Sequence, residues 1–124
     1  MQSIATERAP QALGPYSQAV LAGANLYVSG QIGINPKTGV LVQDSIEAET
    51  EQIMANIQEI LLAAGYYYMD VVKTTIFVTD VKYFDAVNGV YGKYFKAAPP
   101  ARSFVQVAAL PKGARVEIEV VAIK

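Results

Sequence analysis

At 124 residues, with 52% apolar and 17% charged side chains, the chain has the length of one domain and a folded, not disordered, composition. A formal charge of −1 and a pI near 5.3 argue against the basic stripe with which nucleic-acid binders neutralise phosphates. With no cysteine and no histidine, the sequence lacks disulfides, a thiol nucleophile, the usual zinc ligand and the usual neutral-pH acid–base group.

The N-terminal stretch MQSIATERAP carries mixed charges and no apolar core, so no signal peptide is expected. No apolar run reaches the ~20 residues of a membrane helix. The expectation is a cytoplasmic protein with neither membrane nor nucleic acid as a partner. GPYSQAVLAG and NLYVSGQIGI read as two short strands around an Ala22–Asn25 turn, and NPKTG (35–39) reads as a turn. A helix follows. Asp44 is its predicted cap, with Glu47 three residues on as a capping box. Ile46, Ile53, Ile57, Ile60, Leu61 and Ala64 recur at helical spacing, and Gly65 supplies the stop. Tyr66, Tyr67 and Tyr68 read as a surface loop, since no basic residues interleave with them.

VVKTTIFVT (71–79) is β-branched and nearly all apolar, as suits a central strand. Asp80 caps a second predicted helix, in which Phe84, Val87, Tyr91, Tyr94 and Phe95 repeat at helical spacing and which Pro99 and Pro100 end. In the closing stretch, PPARSFVQVAALPKGARVEIEVVAIK, two apolar runs flank Pro-Lys-Gly, which reads as a β-hairpin. The order is β-β-α-β-α-β-β, an α+β domain over 1–124 with two helices on one face of a sheet. VVKTTIFVT and RSFVQVAAL are apolar on both faces. The face without helices therefore needs a cover, and self-association with closed cyclic symmetry is the expected one.

Two ionised groups interrupt those closing runs. Arg102 shares a strand face with Phe104 and Gln106, while Glu117 and Glu119 alternate with Val116, Ile118 and Val120. In a hairpin, opposed residue numbers with an odd sum put Glu117 on the Arg102 face. An even sum puts it on the other, and the sequence leaves the choice open. Either these charges are the wet side of an edge, or Arg102 points into a half-buried pocket. A buried guanidinium without a partner is costly and invites an anion, and its fork fits a carboxylate. A nearby Glu117 would then hold and polarise a water. Tyr16, just after Gly14-Pro15, is either a core-edge aromatic or a pocket ring whose hydroxyl orients a ligand. Ser29 and Gly30 end the second strand, as a bulge or as a close approach of backbone to ligand with free amides. Asn88 lies mid-helix, at a position that an exposed face would equally explain.

GPYSQAV, YVSGQIGINPKTG, VVKTTIFVTD, VNGVYGKYF and the closing stretch together resemble the Rid (YjgF/YER057c/UK114) family, its RidA subgroup in particular, over essentially the whole chain. The resemblance implies a chorismate-mutase-like fold with a mixed sheet, assembled as a homotrimer around a central barrel. Ligand sites would lie in clefts between neighbouring subunits. The implied activity is that of a 2-iminobutanoate/2-iminopropanoate deaminase. Such an enzyme hydrolyses imine and enamine acids, released by pyridoxal-phosphate dehydratases, to 2-oxo acids and ammonia, with no cofactor and no metal of its own. Carried over by position, the carboxylate-binding arginine is Arg102 and the water-positioning acid is Glu117. Tyr16 is the pocket tyrosine, Ser29 and Gly30 form the small-residue backbone site, and Asn88 lies close to the cleft. Many RidA members have cysteine where this chain has Phe104, a larger side chain without a polar atom. It either narrows the pocket or favours a more apolar substrate. The rival readings are a non-catalytic sensor of small carboxylates in the same cleft and a chaperone-like or translation-regulating protein.

Overall fold

The first hairpin forms where the turn residues put it. The computed structural model describes all 124 residues and pairs β2 (Ala19–Ala22) with β3 (Asn25–Gln31) across Gly23 and Ala24, with Gly23 at φ 60°. Only glycine adopts that left-handed conformation without a steric penalty. A three-residue strand, β1 (Gln2–Ile4), pairs with β2 at the sheet edge. Three residues are too few to show a period, so this strand carries no periodic signal.

Helix α1 (Ile46–Ala63) begins one residue later than predicted, because Ser45, not Asp44, is its cap. The Ser45 hydroxyl accepts from the Ala48 amide at 3.0 Å. Counted from Ser45, Glu47 stands at the second helical position, so the predicted capping box has no place to form. The other end is as expected. Gly65 has φ 78°, its amide reaches the Leu62 carbonyl, and the Tyr66 amide reaches the Leu61 carbonyl. These two bonds satisfy otherwise orphaned carbonyls at the helix end.

The tyrosines that follow are not a surface loop. Tyr66 is buried with its hydroxyl on the Ala24 carbonyl, and the Tyr68 hydroxyl donates to the Met54 carbonyl at 2.6 Å. Only Tyr67 of the three is exposed. Asp80 caps a short 3-10 turn that leads into α2 (Phe84–Tyr91).

The larger correction concerns the end of the chain. Strand β5 (Ala101–Gln106) runs parallel to β4 (Val71–Val78), and β6 (Val116–Ile123) inserts between β4 and β3, antiparallel to both. The sheet order is β1-β2-β3-β6-β4-β5, so β5 and β6 never touch as a hairpin. β4, α2 and β5 form a parallel crossover, which needs the length of a helix to return the chain. The segment after β5 then extends that pairing by one bond, Val107 amide to Val78 carbonyl. It turns at Pro111–Gly113 with Lys112 at φ 57° and enters β6 on the far side of β4. The Pro-Lys-Gly turn is real, but it joins strands that are two places apart.

The two helices pack on one face of the sheet. Ile53, Ile57, Ile60 and Leu61 of α1 and Val87 of α2 are fully buried in one core with Leu26, Ile76, Val78, Val116 and Ile118. The register places Thr74, Ile76 and Val78 of β4 level with Arg102, Phe104 and Gln106, and with Val120, Ile118 and Val116. Those residues share the helix-covered face. Thr75, Phe77, Ser103, Val105, Glu117 and Glu119 share the open face. Phe77, Val105, Val121 and Tyr27 give that face its apolar share, and Val105 and Tyr27 remain exposed.

Candidate functional site

The candidate residues fall into two clusters, and the topology decides which. Arg102 lies on the helix-covered face, near the outer edge of the sheet. It is half-buried, and its Nη1 donates to Asn88 Oδ1 at 2.7 Å. Asn88 is therefore not an exposed helix position but the residue that ties α2 to this arginine. The guanidinium carbon lies 5.0 Å from the Tyr91 ring, 5.5 Å from Phe104 and 5.6 Å from Phe84. Arg102 forms no ion pair with any carboxylate. An arginine has five N–H donors in a fixed fork, and only one side-chain bond uses them here. The arrangement is a cation held in a set orientation by an amide and three rings, with most of its donors free.

The second cluster lies beside Glu117. A cavity of about 280 Å³ is lined by Tyr16, Gly30, Gln31, Lys112 and Glu117, with Leu13 and Pro111 among the others. Gly30 leaves the room that the Glu117 carboxylate occupies, and a larger residue there would have to push it aside. A Cβ at that position would stand 2.5 Å from Glu117 Oε2, closer than atoms approach. Burial, and then the negative charge of Glu119, push the Glu117 carboxyl above its usual range. Glu117 forms no ion pair either.

Tyr16 stands at the cavity mouth, half exposed, on a loop turned by Gly14. Its neighbour Gln18, buried, holds that loop with bonds to Thr6, Ala9 and Pro10. Ser29 serves the same loop. Its amide donates to the Gln18 carbonyl and its hydroxyl to the Ser17 carbonyl at 2.6 Å. The free amide expected at Ser29 is thus spent on positioning the Tyr16 segment.

Sequence reasoning missed two contributors. Lys112 lines the Glu117 cavity with a strained left-handed backbone. A lysine at the centre of a turn motif gives no such signal. Glu49 is fully buried and accepts from the Arg115 amide at 2.7 Å, Arg115 Nε at 2.8 Å and the Val116 amide at 3.3 Å. It anchors the start of the strand that carries Glu117. Its place on the apolar side of a helix (three residues after Ile46) was the available clue.

The parity question raised by the sequence dissolves, since β5 and β6 do not pair. Thr74 stands level with Arg102 and Phe77 level with Glu117. Two strand spacings and three residue steps separate the two backbones by roughly 14 Å, and the side chains leave on opposite faces. Within one chain they cannot meet on one small molecule.

Comparison with known proteins agrees with this fold and sequence. The endoribonuclease L-PSP family model matches residues 6–124. The human 2-iminobutanoate/2-iminopropanoate deaminase is 52% identical over 121 residues, covering 98% of this chain and 88% of that protein. A crystal structure of a putative endoribonuclease from Thermotoga maritima superposes with a TM-score of 0.98 at 51% identity, covering 100% of this chain and 98% of that one. Escherichia coli TdcF with bound serine superposes at 0.96 with 39% identity, covering 100% and 99%. This chain belongs to the endoribonuclease L-PSP family, the Rid (YjgF) family that its motifs resemble.

Proposed function

We propose that the protein hydrolyses 2-imino acids, 2-iminobutanoate and 2-iminopropanoate among them, to 2-oxo acids and ammonia. The observation that carries this reading is Arg102: half-buried, oriented by Asn88 and paired with no carboxylate. The free edge of its fork suits a carboxylate through two parallel bonds. The human relative is named for this reaction, and TdcF was solved with a small amino acid bound.

The substrate carries a carboxylate beside a C=N bond. Arg102 binds the carboxylate and fixes the plane of the imine. Glu117 accepts a proton from water as the oxygen adds to the imine carbon. It hands that proton to the nitrogen to complete the carbinolamine, then relays the carbinolamine's hydroxyl proton to nitrogen as the C=O bond forms, the C–N bond breaks and ammonia leaves. A raised carboxyl pKa makes Glu117 a stronger base than an ordinary glutamate. Such imines also hydrolyse unaided, so positioning plus general acid–base help of ~10²–10⁴-fold is an adequate source of rate.

Because the two groups lie on opposite faces of one sheet, the working site needs a second copy of the chain. We propose a homotrimer with its open faces inward, which brings the Glu117 of one subunit to the Arg102 of the next. Tyr16, Gly30 and Lys112 line the site from the Glu117 side, and Asn88 and Phe104 from the other. The proposed compartment is the cytoplasm, and no helix is long and apolar enough to cross a membrane.

The test is turnover coupled to a threonine dehydratase. The wild-type protein accelerates the appearance of 2-oxobutanoate, and Arg102→Ala abolishes the acceleration without changing the fold or assembly. A wild-type protein that binds 2-oxobutanoate without accelerating its formation is a sensor and not an enzyme.

A further inference from the structure

Arg102 shares its surroundings with rings of two kinds. Tyr91 is only 6% exposed, and its hydroxyl is bonded to Thr74 Oγ1 at 2.8 Å, so it forms part of the floor. Phe84 is 43% exposed and Phe104 is half-buried. These two rings meet edge to face, with centroids 5.0 Å apart and planes at 75°. They come from different elements, Phe84 from the first turn of α2 and Phe104 from β5. The result is a small apolar wall, with no donor or acceptor on it, standing beside a cation whose fork is largely free.

The geometry relates wall and cation closely. Phe104 follows Arg102 by two residues on the same strand face, about 7 Å along the strand. A carboxylate held by Arg102 leaves the substituent on its neighbouring carbon within reach of that wall. The ligand that fits is a small acid with an apolar group on the adjacent carbon.

We propose that Phe84 and Phe104 form the side-chain subsite of the imine site. They make this chain select 2-imino acids with extended apolar side chains, aliphatic or aromatic, over those with a methyl or hydroxymethyl group. This inference rests on the deaminase reading given above. Each methylene removed from water against the wall favours the substrate about fourfold, the factor equivalent to about 0.8 kcal/mol. A hydroxyl placed there loses its water and finds no partner in exchange. Because a helix and a strand hold the two rings, the subsite is preformed.

The experiment compares imines of increasing side-chain size, generated in solution by an amino-acid oxidase from alanine, serine, leucine and phenylalanine. Semicarbazide traps the imine that escapes hydrolysis. The readout is the ratio of kcat/KM for the leucine-derived imine to that for the alanine-derived one. The wild-type ratio favours leucine, and Phe104→Ala and Phe84→Ala each narrow it by about tenfold. Phe104→Leu, which keeps apolar bulk, retains most of it. Thermal melts establish that each variant is folded. A ratio unchanged in both alanine variants overturns the subsite. A ratio that widens overturns it too, since the rings are then a barrier and not a receptor. If the wild-type protein turns over none of the imines, it is the deaminase reading that fails. The wall is then judged by calorimetric titration of 4-methyl-2-oxopentanoate against pyruvate. A preference for the larger acid that Phe104→Ala removes supports the subsite, and equal binding overturns it.

Discussion

Glu117 is the residue whose chemistry can be read most directly. Its carboxyl is pushed up, first by burial and then by Glu119. As a base it must be ionised, so activity falls as pH falls through its pKa, and that acid limb lies higher than for an ordinary glutamate. Glu119→Gln removes the second cause and leaves the first. The acid limb of the kcat profile then moves to lower pH, and only part of the way, because burial persists. A profile that does not move separates the limb from Glu117. The same shift has a stability consequence of fixed sign. A folded-state pKa above the unfolded one means that the folded protein binds the proton more tightly. Stability is therefore lost as pH rises from the unfolded pKa through the folded one. At neutral pH, Glu117→Gln raises the melting temperature while kcat collapses.

Arg102, Glu117, Tyr16 and Gly30 were legible as candidates: charges in apolar runs, a ring at a strand mouth, a glycine where a strand was expected to end. At the scale of elements, legibility depends on sequence distance. Helix α1 and the β2–β3 hairpin are local, and period and turn chemistry located both. The pairing of β5 is not local. Two apolar runs around Pro-Lys-Gly look the same whether they pair with each other or straddle a third strand. Only the preference of parallel strands for a helical crossover, satisfied by α2, separates the two cases. The Tyr66–Tyr68 segment escaped because tyrosines buried by bonds to the Ala24 and Met54 carbonyls carry no periodic signal.

Glu49 is the element-scale counterpart. It fastens α1 to the start of β6 through three donors, and Arg115 reaches on to the Gln43 carbonyl. Glu49→Ala leaves Arg115 Nε and two backbone amides without their acceptor, at a cost of about 3 kcal/mol. For a domain of this size that lowers the melting temperature by at least ~10 °C. Glu49→Gln keeps an acceptor in place and loses less. Equal melting temperatures for Glu49→Ala and wild type would mean that water enters and satisfies all three donors.

The whole molecule adds a requirement that no single chain meets. Arg102 and Glu117 leave the sheet on opposite faces, with their backbones roughly 14 Å apart. If both act on one imine, each site takes its arginine from one subunit and its glutamate from another. An Arg102→Ala chain then still offers a sound glutamate, and a Glu117→Gln chain still offers a sound arginine. Each variant alone is inactive. Mixed in equal amounts and reassembled from denaturant, they form sites in which each half is sound with even odds, independently in a cyclic assembly. About a quarter of all sites are then complete, and the mixture regains about a quarter of wild-type activity. A site built within one chain predicts no recovery, since every chain in the mixture is defective. The fraction regained therefore reports where the site lies, and it does so whether the closed ring has two, three or more members.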